Sequence, residues 1–168
     1  MEKELKIGLT IGKFAPLHKG HQFLIETALK DMDELVVMIY DQPGVTNIPL
    51  EVRAGWINKL YPKVKVVEAY ESPKIIGKDD EAIRAQVNYI LKKIRGTKIT
   101  HFYSSEWYGE FVAKALKAEN VLVDPERKKY PISASLTREN LEKYKDMLDP
   151  MVYEDVKKYM DQGGAGCA

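Results

Sequence analysis

Residues 5–29 read LKIGLTIGKFAPLHKGHQFLIETAL, and the change of period within this stretch decides the fold. Leu5 to Ile11 is an apolar run of the kind a sheet buries, whereas Phe23, Leu24, Ala28 and Leu29 recur at helical spacing. The decapeptide GKFAPLHKGH at 12–21 therefore reads as a tight loop leading from a strand into a helix start. The first turn of a helix leaves amide N–H groups unpaired and carries the positive end of the helix dipole, so it attracts phosphate. His18 and His21, three apart, can share one side of that turn, Gly20 between them lets a ligand approach the backbone, and Lys13 adds a cation at the strand end.

Other readings of the segment are weaker. A zinc site would need further ligands, but His101 is the only other histidine and the single cysteine, Cys167, lies in a glycine-rich tail. Neither G-x-x-x-x-G-K-[ST] nor a G-x-G-x-x-G after a strand is present, so the two commonest phosphate loops are excluded. A plain helix start with two solvated histidines would require strand, Gly, Lys, Pro, His, Gly and His to coincide by chance.

Working outward, Glu34 to Tyr40 is ELVVMIY, a continuous apolar run typical of a parallel strand covered on both faces. Pro43, Gly44, Asn47 and Pro49 mark 41–49 as a turn-rich loop at its C-terminal end. Residues 50–61 read as a helix burying Val52, Trp56, Ile57 and Leu60; 64–69 is a strand, 72–80 a loop, and 80–94 a helix striped by Ile83, Val87, Ile90, Leu91 and Ile94 and closed by Gly96. A strand at 99–103, a helix at 106–118, a strand at 120–123 and two helices within 137–161, split near Asp149 and Pro150, complete the reading. Strand and helix alternate five times, the pattern of a doubly wound, Rossmann-like α/β fold. The expectation is a five-stranded parallel sheet with helices on both faces and a C-terminal helical extension, forming one domain over 1–162 with a disordered tail at 163–168. Right-handed crossovers then gather the first loop, 41–49, 104–108 and 124–135 along one ligand-binding edge.

Composition limits the function. A chain of 168 residues with 45% hydrophobic content fits one domain with a sizeable core. Its 26 basic and 25 acidic residues nearly cancel, which argues against nucleic acid or anionic membrane as partner. The single cysteine suits a reducing compartment, the N-terminus MEKELK has no signal-peptide core, and no apolar run reaches membrane-span length, so a cytoplasmic location is expected. Homo-oligomerisation is left open. The basic run Arg127, Lys128 and Lys129 reads as a solvated loop, of interest for its place before a second motif.

That motif is ISASLTR at 132–138, preceded by VDPERKKYP. With Ser135 as helix cap, its hydroxyl and the following N–H groups would face the ligand edge, and Arg138, one turn on, would point to the same place. Two anion-seeking helix starts on one sheet edge suit a polyphosphate lying between them.

GKFAPLHKGH together with ISASLTR resembles the nucleotidylyltransferase superfamily, which is marked by H-x-G-H near the N-terminus and I-S-x-[ST]-x-x-R near the C-terminus; both motifs are complete. Residues 104–133, SSEWYGEFVAKALKAENVLVDPERKKYPIS, further resemble the nicotinamide mononucleotide (NMN) adenylyltransferase domain of bifunctional enzymes that also carry a ribosylnicotinamide kinase. The likeness covers roughly residues 5 to 140. No Walker sequence follows, so kinase activity is not expected.

The resemblance implies adenylyl transfer from ATP to the 5′-phosphate of NMN, giving NAD and pyrophosphate. By motif, His18 and His21 would bond the ATP phosphates and charge developing at the α-phosphate, with help from Lys13. Gly12, Phe14 and Gly20 would shape the adenosine side, and Ser133, Ser135 and Arg138 would hold the β- and γ-phosphates. Mg²⁺ would bridge phosphate oxygens, with no protein metal cage. A cationic nicotinamide wants an aromatic face, and Trp107 and Tyr108 follow the fourth strand. Trp56 sits on an apolar stripe and reads as core; Arg53, opposite in phase, ranks low as a site residue, and Glu106 reads as a helix-start acid. Rival readings are adenylyl or cytidylyl transfer to another acceptor, such as phosphopantetheine, and a non-catalytic nucleotide-sensing module. Cytidylyl transfer is disfavoured because KKYPISAS lacks the R-T and Gly of R-T-x-G-I-S-T-T.

Overall fold

The computed structural model describes residues 3–41, 44–73 and 79–163. Five strands, β1 (Ile7–Gly12), β2 (Glu34–Tyr40), β3 (Lys65–Ala69), β4 (His101–Ser104) and β5 (Glu119–Leu122), form one parallel sheet in the order β3-β2-β1-β4-β5. The chain winds outward from β1 to β3, then crosses back to β4 beside β1. The crevice at the C-terminal ends of β1 and β4 is thus the topological switch point.

Alternating side chains explain the layering. Leu35, Val37 and Ile39 of β2 pack with α1 (Lys19–Asp31), α2 (Leu50–Leu60) and α6 (Pro150–Gly163). Val36 and Met38 of β2, with Leu9 and Phe102, pack with α3 (Asp80–Lys93) and α4 (Gly109–Leu116). Both faces of β2 are therefore dry, as its unbroken apolar run requires. Trp56 is core, as its stripe implies: it is 1% exposed, and its Nε1–H donates to Asp155 Oδ2 at 2.8 Å, joining α2 to α6. Gly96, at φ +90°, closes the turn after α3 as expected.

Two helices differ from the sequence reading. The fourth begins at Gly109 rather than 106, because 106–109 form a turn closed by the Gly109 N–H on the Glu106 carbonyl at 3.2 Å; helix and sheet then meet so closely that a Cβ on Gly109 would lie 2.3 Å from Ser104 Oγ. It ends at Leu116, with Lys117 in the left-handed region at φ 57°. The first of the two C-terminal helices is not continuous either. It is the short α5 (Ala134–Glu139), a turn, and a single 3₁₀ turn at Lys145–Met147. Asn140 breaks it: its backbone leaves the helical region (φ −150°, ψ 84°) and its side-chain carbonyl accepts the Lys143 N–H at 3.1 Å, a local bond that competes with the helix ladder. Pro43, residues 74–78 of the expected 72–80 loop, and residues 164–168 of the expected tail lie outside the described residues. No helix among the described residues is long and apolar enough to cross a membrane.

Candidate active site

The β1–α1 loop delivers His18 as the N-cap of α1, and the two histidines cap the helix reciprocally. Nδ1 of His18 accepts the backbone N–H of Gly20 at 3.1 Å and of His21 at 3.3 Å, while Nδ1 of His21 accepts the N–H of His18 at 3.1 Å. This is a capping box built from imidazoles in place of Ser and Glu. Since each Nδ1 accepts, each proton resides on Nε2, the nitrogen away from the cap. The rings stack at 3.6 Å with planes 18° apart, and Phe14 meets His21 edge-on at 4.8 Å. Burial holds His18 down from the ordinary 6.5 to about 4, with the Arg127 guanidinium as a further cause. Burial, then His18, then Arg127 hold His21 well below its usual range. Both are neutral Nε2–H donors at neutral pH, and neither is the solvated side chain of the plain helix-start reading.

Gly20 serves this cap as well as the cavity it lines. A Cβ there would sit 2.9 Å from Cε1 and 3.0 Å from Nδ1 of His18, so the glycine leaves room for the imidazole, a tighter requirement than the ligand approach read from sequence. Gly12 is likewise covered by the Phe14 ring, 3.1 Å from where its Cβ would be.

The second motif reaches the first. Arg138 Nη1 donates to the Ala15 carbonyl at 2.6 Å, across 123 positions of sequence. The helix cap is Ser133, not Ser135: Ser133 Oγ accepts the Leu136 N–H at 3.2 Å, leaving Ser135 inside the first turn with its Oγ 3.3 Å from that of Ser133. Because α5 has only six residues its dipole is small, and the two hydroxyls and the guanidinium are its main polar offering.

These groups line one cavity of about 320 Å³ at the switch point, where Gly12, Lys13, Phe14, His18, Gly20 and His21 face Ser133, Ser135 and Arg138. Its electrostatics favour an anion. Lys13 is half-buried, held below its usual range first by burial and then by Arg138, and makes no ion pair among the described residues. Three lining residues with side chains, Phe14 (φ 48°), Asp124 (φ 45°) and Arg127 (φ 53°), adopt left-handed backbone, a conformation that clusters at functional sites.

Two arginines matter more than the sequence indicated. Arg127 is exposed, as a loop charge should be, but it also lines the cavity, donates to the Ile132 carbonyl at 3.1 Å and pairs with Glu106 at 3.2 Å. The Asp124 carboxylate accepts the N–H groups of Lys128, Lys129 and Tyr130 and so folds the loop that presents it. Arg53, ranked low for its helical phase, is 3% exposed; it donates to the carbonyls of Lys13 (2.6 Å), Ile48 (3.0 Å) and Tyr40 (3.4 Å), pinning the end of β1 to the end of β2. A buried charge of this kind is invisible to periodicity, because α2 turns that face toward backbone carbonyls rather than solvent.

Beside the first cavity lies a second, of about 190 Å³, between α3 and α4. Lys13, Tyr40 and Tyr108 border both, whereas Trp107 lines only the second. Trp107 stands edge-on to Tyr108 at 6.1 Å and to Phe111 at 5.8 Å. Burial, reinforced by Glu106, pushes the Tyr40 phenol up to about 12, and it stays protonated at the border.

The family model described as Cytidylyltransferase-like matches residues 9–140. The chain belongs to this family of nucleotidyltransferases. Among curated relatives, the phosphopantetheine adenylyltransferase of Fusobacterium nucleatum is 29% identical over 155 residues, covering 90% of this chain and 92% of that protein. The trifunctional NAD biosynthesis/regulator protein NadR of Salmonella typhimurium is 30% identical over 167 residues, covering 84% of this chain but 38% of NadR. Among solved structures, a bifunctional NMN adenylyltransferase/ADP ribose pyrophosphatase from Francisella tularensis shares the fold with a TM-score of 0.66 at 17% identity, over 94% of this chain and 50% of that one. The chain thus spans half or less of these two multifunctional proteins. Its relatives place this nucleotidyltransferase among the adenylyltransferases.

Proposed function

We propose that the protein transfers the adenylyl group of ATP to NMN, forming NAD and releasing pyrophosphate. The observation that carries this reading is the bond from Arg138 to the Ala15 carbonyl, which puts both signature segments on one cation-lined cavity. In that cavity the triphosphate lies with its α-phosphate toward the Nε2–H groups of His18 and His21. Its β- and γ-phosphates lie toward Lys13, Ser133, Ser135 and Arg138, and Gly12, Phe14 and Gly20 frame the adenosine. An oxygen of the acceptor's 5′-phosphate attacks the α-phosphorus in line, and the bond from that phosphorus to the bridging oxygen breaks. The attacking phosphate is already ionised at neutral pH, so no general base is required; positioning and donors aimed at the developing charge do the work.

Mg²⁺ on the ATP phosphates would neutralise part of their charge. The two carboxylates among the cavity's described residues suit a metal carried by substrate and water rather than a protein cage, because Glu106 pairs with Arg127 and Asp124 accepts three backbone N–H groups. Among the described residues no group of three or more His, Cys, Asp or Glu could hold an ion.

The second cavity supplies the acceptor's base site. Its Trp107, Tyr108 and Phe111 offer aromatic surface to a cationic pyridine ring, and its described lining residues include no Asp or Glu. A second reading, transfer to phosphopantetheine, is favoured by relatives of that name that match nearly the whole chain; the same apolar cavity would take the pantetheine arm. The deciding experiment incubates the protein with ATP, Mg²⁺ and either acceptor, and separates NAD from dephospho-coenzyme A chromatographically. NAD formation with little turnover of phosphopantetheine is expected. The reverse pattern rejects the NMN assignment, and binding of ATP without product from any phosphate acceptor supports a sensing module.

A further inference from the structure

The second cavity contains one polar side chain that its apolar character does not explain. On α3, Ile83, Val87 and Ile90 form the cavity wall at helical spacing, and Gln86 stands on the same stripe between them. Of the four only Ile90 is fully buried, and no hydrogen bond joins the half-buried Gln86 amide to a described residue, which leaves its donor and its acceptor open to a partner in the cavity. Every other described lining residue apart from Lys13 and the two tyrosines at the border is apolar or aromatic. Those border groups face the phosphate cavity as well, whereas Gln86 lines only the second.

We propose that Gln86 is the specificity-determining residue of the acceptor site and reads a neutral primary carboxamide on the acceptor's ring. This rests on the reading of the second cavity as the acceptor site. In a pyridine mononucleotide the ring substituent projects away from the 5′-phosphate, so a phosphate at the Lys13 border leaves the substituent toward the α3 wall. An amide there pairs reciprocally with Gln86: the ligand N–H₂ donates to the Gln86 carbonyl, and the Gln86 N–H₂ donates to the ligand carbonyl. A carboxylate in the same place has no proton for the Gln86 carbonyl and brings a full charge into an apolar cavity, so it loses one bond and its hydration together. Among the described residues the only cation on this lining, Lys13, stands at the border already shared with the triphosphate.

The test compares kcat/KM for NMN and for nicotinic acid mononucleotide in the wild type, Gln86→Met and Gln86→Asn, with ATP saturating and thermal melting run on each. The wild type is expected to prefer the amide. Gln86→Met, similar in volume but unable to pair, should lower the amide-to-acid ratio roughly tenfold or more while leaving the KM for ATP unchanged. Gln86→Asn should recover part of the ratio. A merely structural role would lower both acceptors together. If the wild type forms NAD but the ratio does not move in Gln86→Met, Gln86 does not read the acceptor and the inference falls alone. If the wild type adenylylates neither pyridine mononucleotide, the acceptor assignment itself falls, and the inference with it.

Discussion

Gly20→Ala separates the helix cap from the chemistry, and the structure sets the size of both effects. The new methyl carbon would lie 2.9 Å from Cε1 and 3.0 Å from Nδ1 of His18. That ring cannot swing away cheaply, because it is stacked on His21 at 3.6 Å and anchored by two backbone N–H groups. Displacement breaks the cap, which costs about 0.5–2 kcal/mol, while replacing glycine inside a helix returns about 1 kcal/mol. The net change in stability is thus within about 1 kcal/mol, a shift in Tm of only a few degrees for a domain of this size. Turnover should respond differently. A histidine whose Nε2–H no longer points at the α-phosphate is a lost transition-state donor, and loss of such a donor costs roughly a hundredfold or more in kcat. Calorimetric melting and steady-state pyrophosphate release, measured on the same preparation, report the two quantities. A variant with unchanged Tm and unchanged kcat would refute the claim that the orientation of His18 matters.

Three further outcomes follow from the geometry. Trp107→Ala should raise the KM for the mononucleotide acceptor and leave the KM for ATP near the wild-type value, because Trp107 lines only the second cavity; equal effects on both would move the acceptor's aromatic platform elsewhere. Arg53→Met should destabilise the fold by about 2–4 kcal/mol in urea denaturation, since three carbonyls lose a buried donor; a change under about 1 kcal/mol would show that the guanidinium is not the clamp described. The folded pKa of His18 is depressed from 6.5 to about 4, so the unfolded chain takes up a proton that the folded ring refuses, and stability falls as pH drops through that window. Between pH 7 and pH 5 this one group should remove about 2 kcal/mol, and His18→Gln should flatten the slope of unfolding free energy with pH; an unaltered slope would contradict the buried neutral state.

The sequence made the sheet legible because dry parallel strands leave unbroken apolar runs, and ELVVMIY at 34–40 matches β2 at both ends. The histidine pair was legible because strand, loop and helix start are written in consecutive residues. What lay hidden depends on contacts between distant segments. Gly109 has to be a glycine because Ser104 packs against it, and Arg53 is buried because carbonyls from three other segments converge on it. In ISASLTR both serines are reasonable caps, and only the fold selects Ser133. Arg127 looked like one of three similar cations; the preceding Asp-Pro was the available signal, since aspartate gathers the following backbone amides and folds the loop that sets one of the three at the cavity. Gln86 was present as a polar interruption of the Ile83–Ile90 stripe, but its meaning needed the cavity.

The central claim is that one triphosphate lies between the histidine pair and Arg138 with its α-phosphorus as the point of attack. Incubating the protein with Mg²⁺, NMN and ATP radiolabelled at the α-phosphate tests it directly. The account predicts that the label passes into the dinucleotide and that the pyrophosphate released is unlabelled. Label retained in ADP, with phosphate transferred from the γ-position, would contradict it.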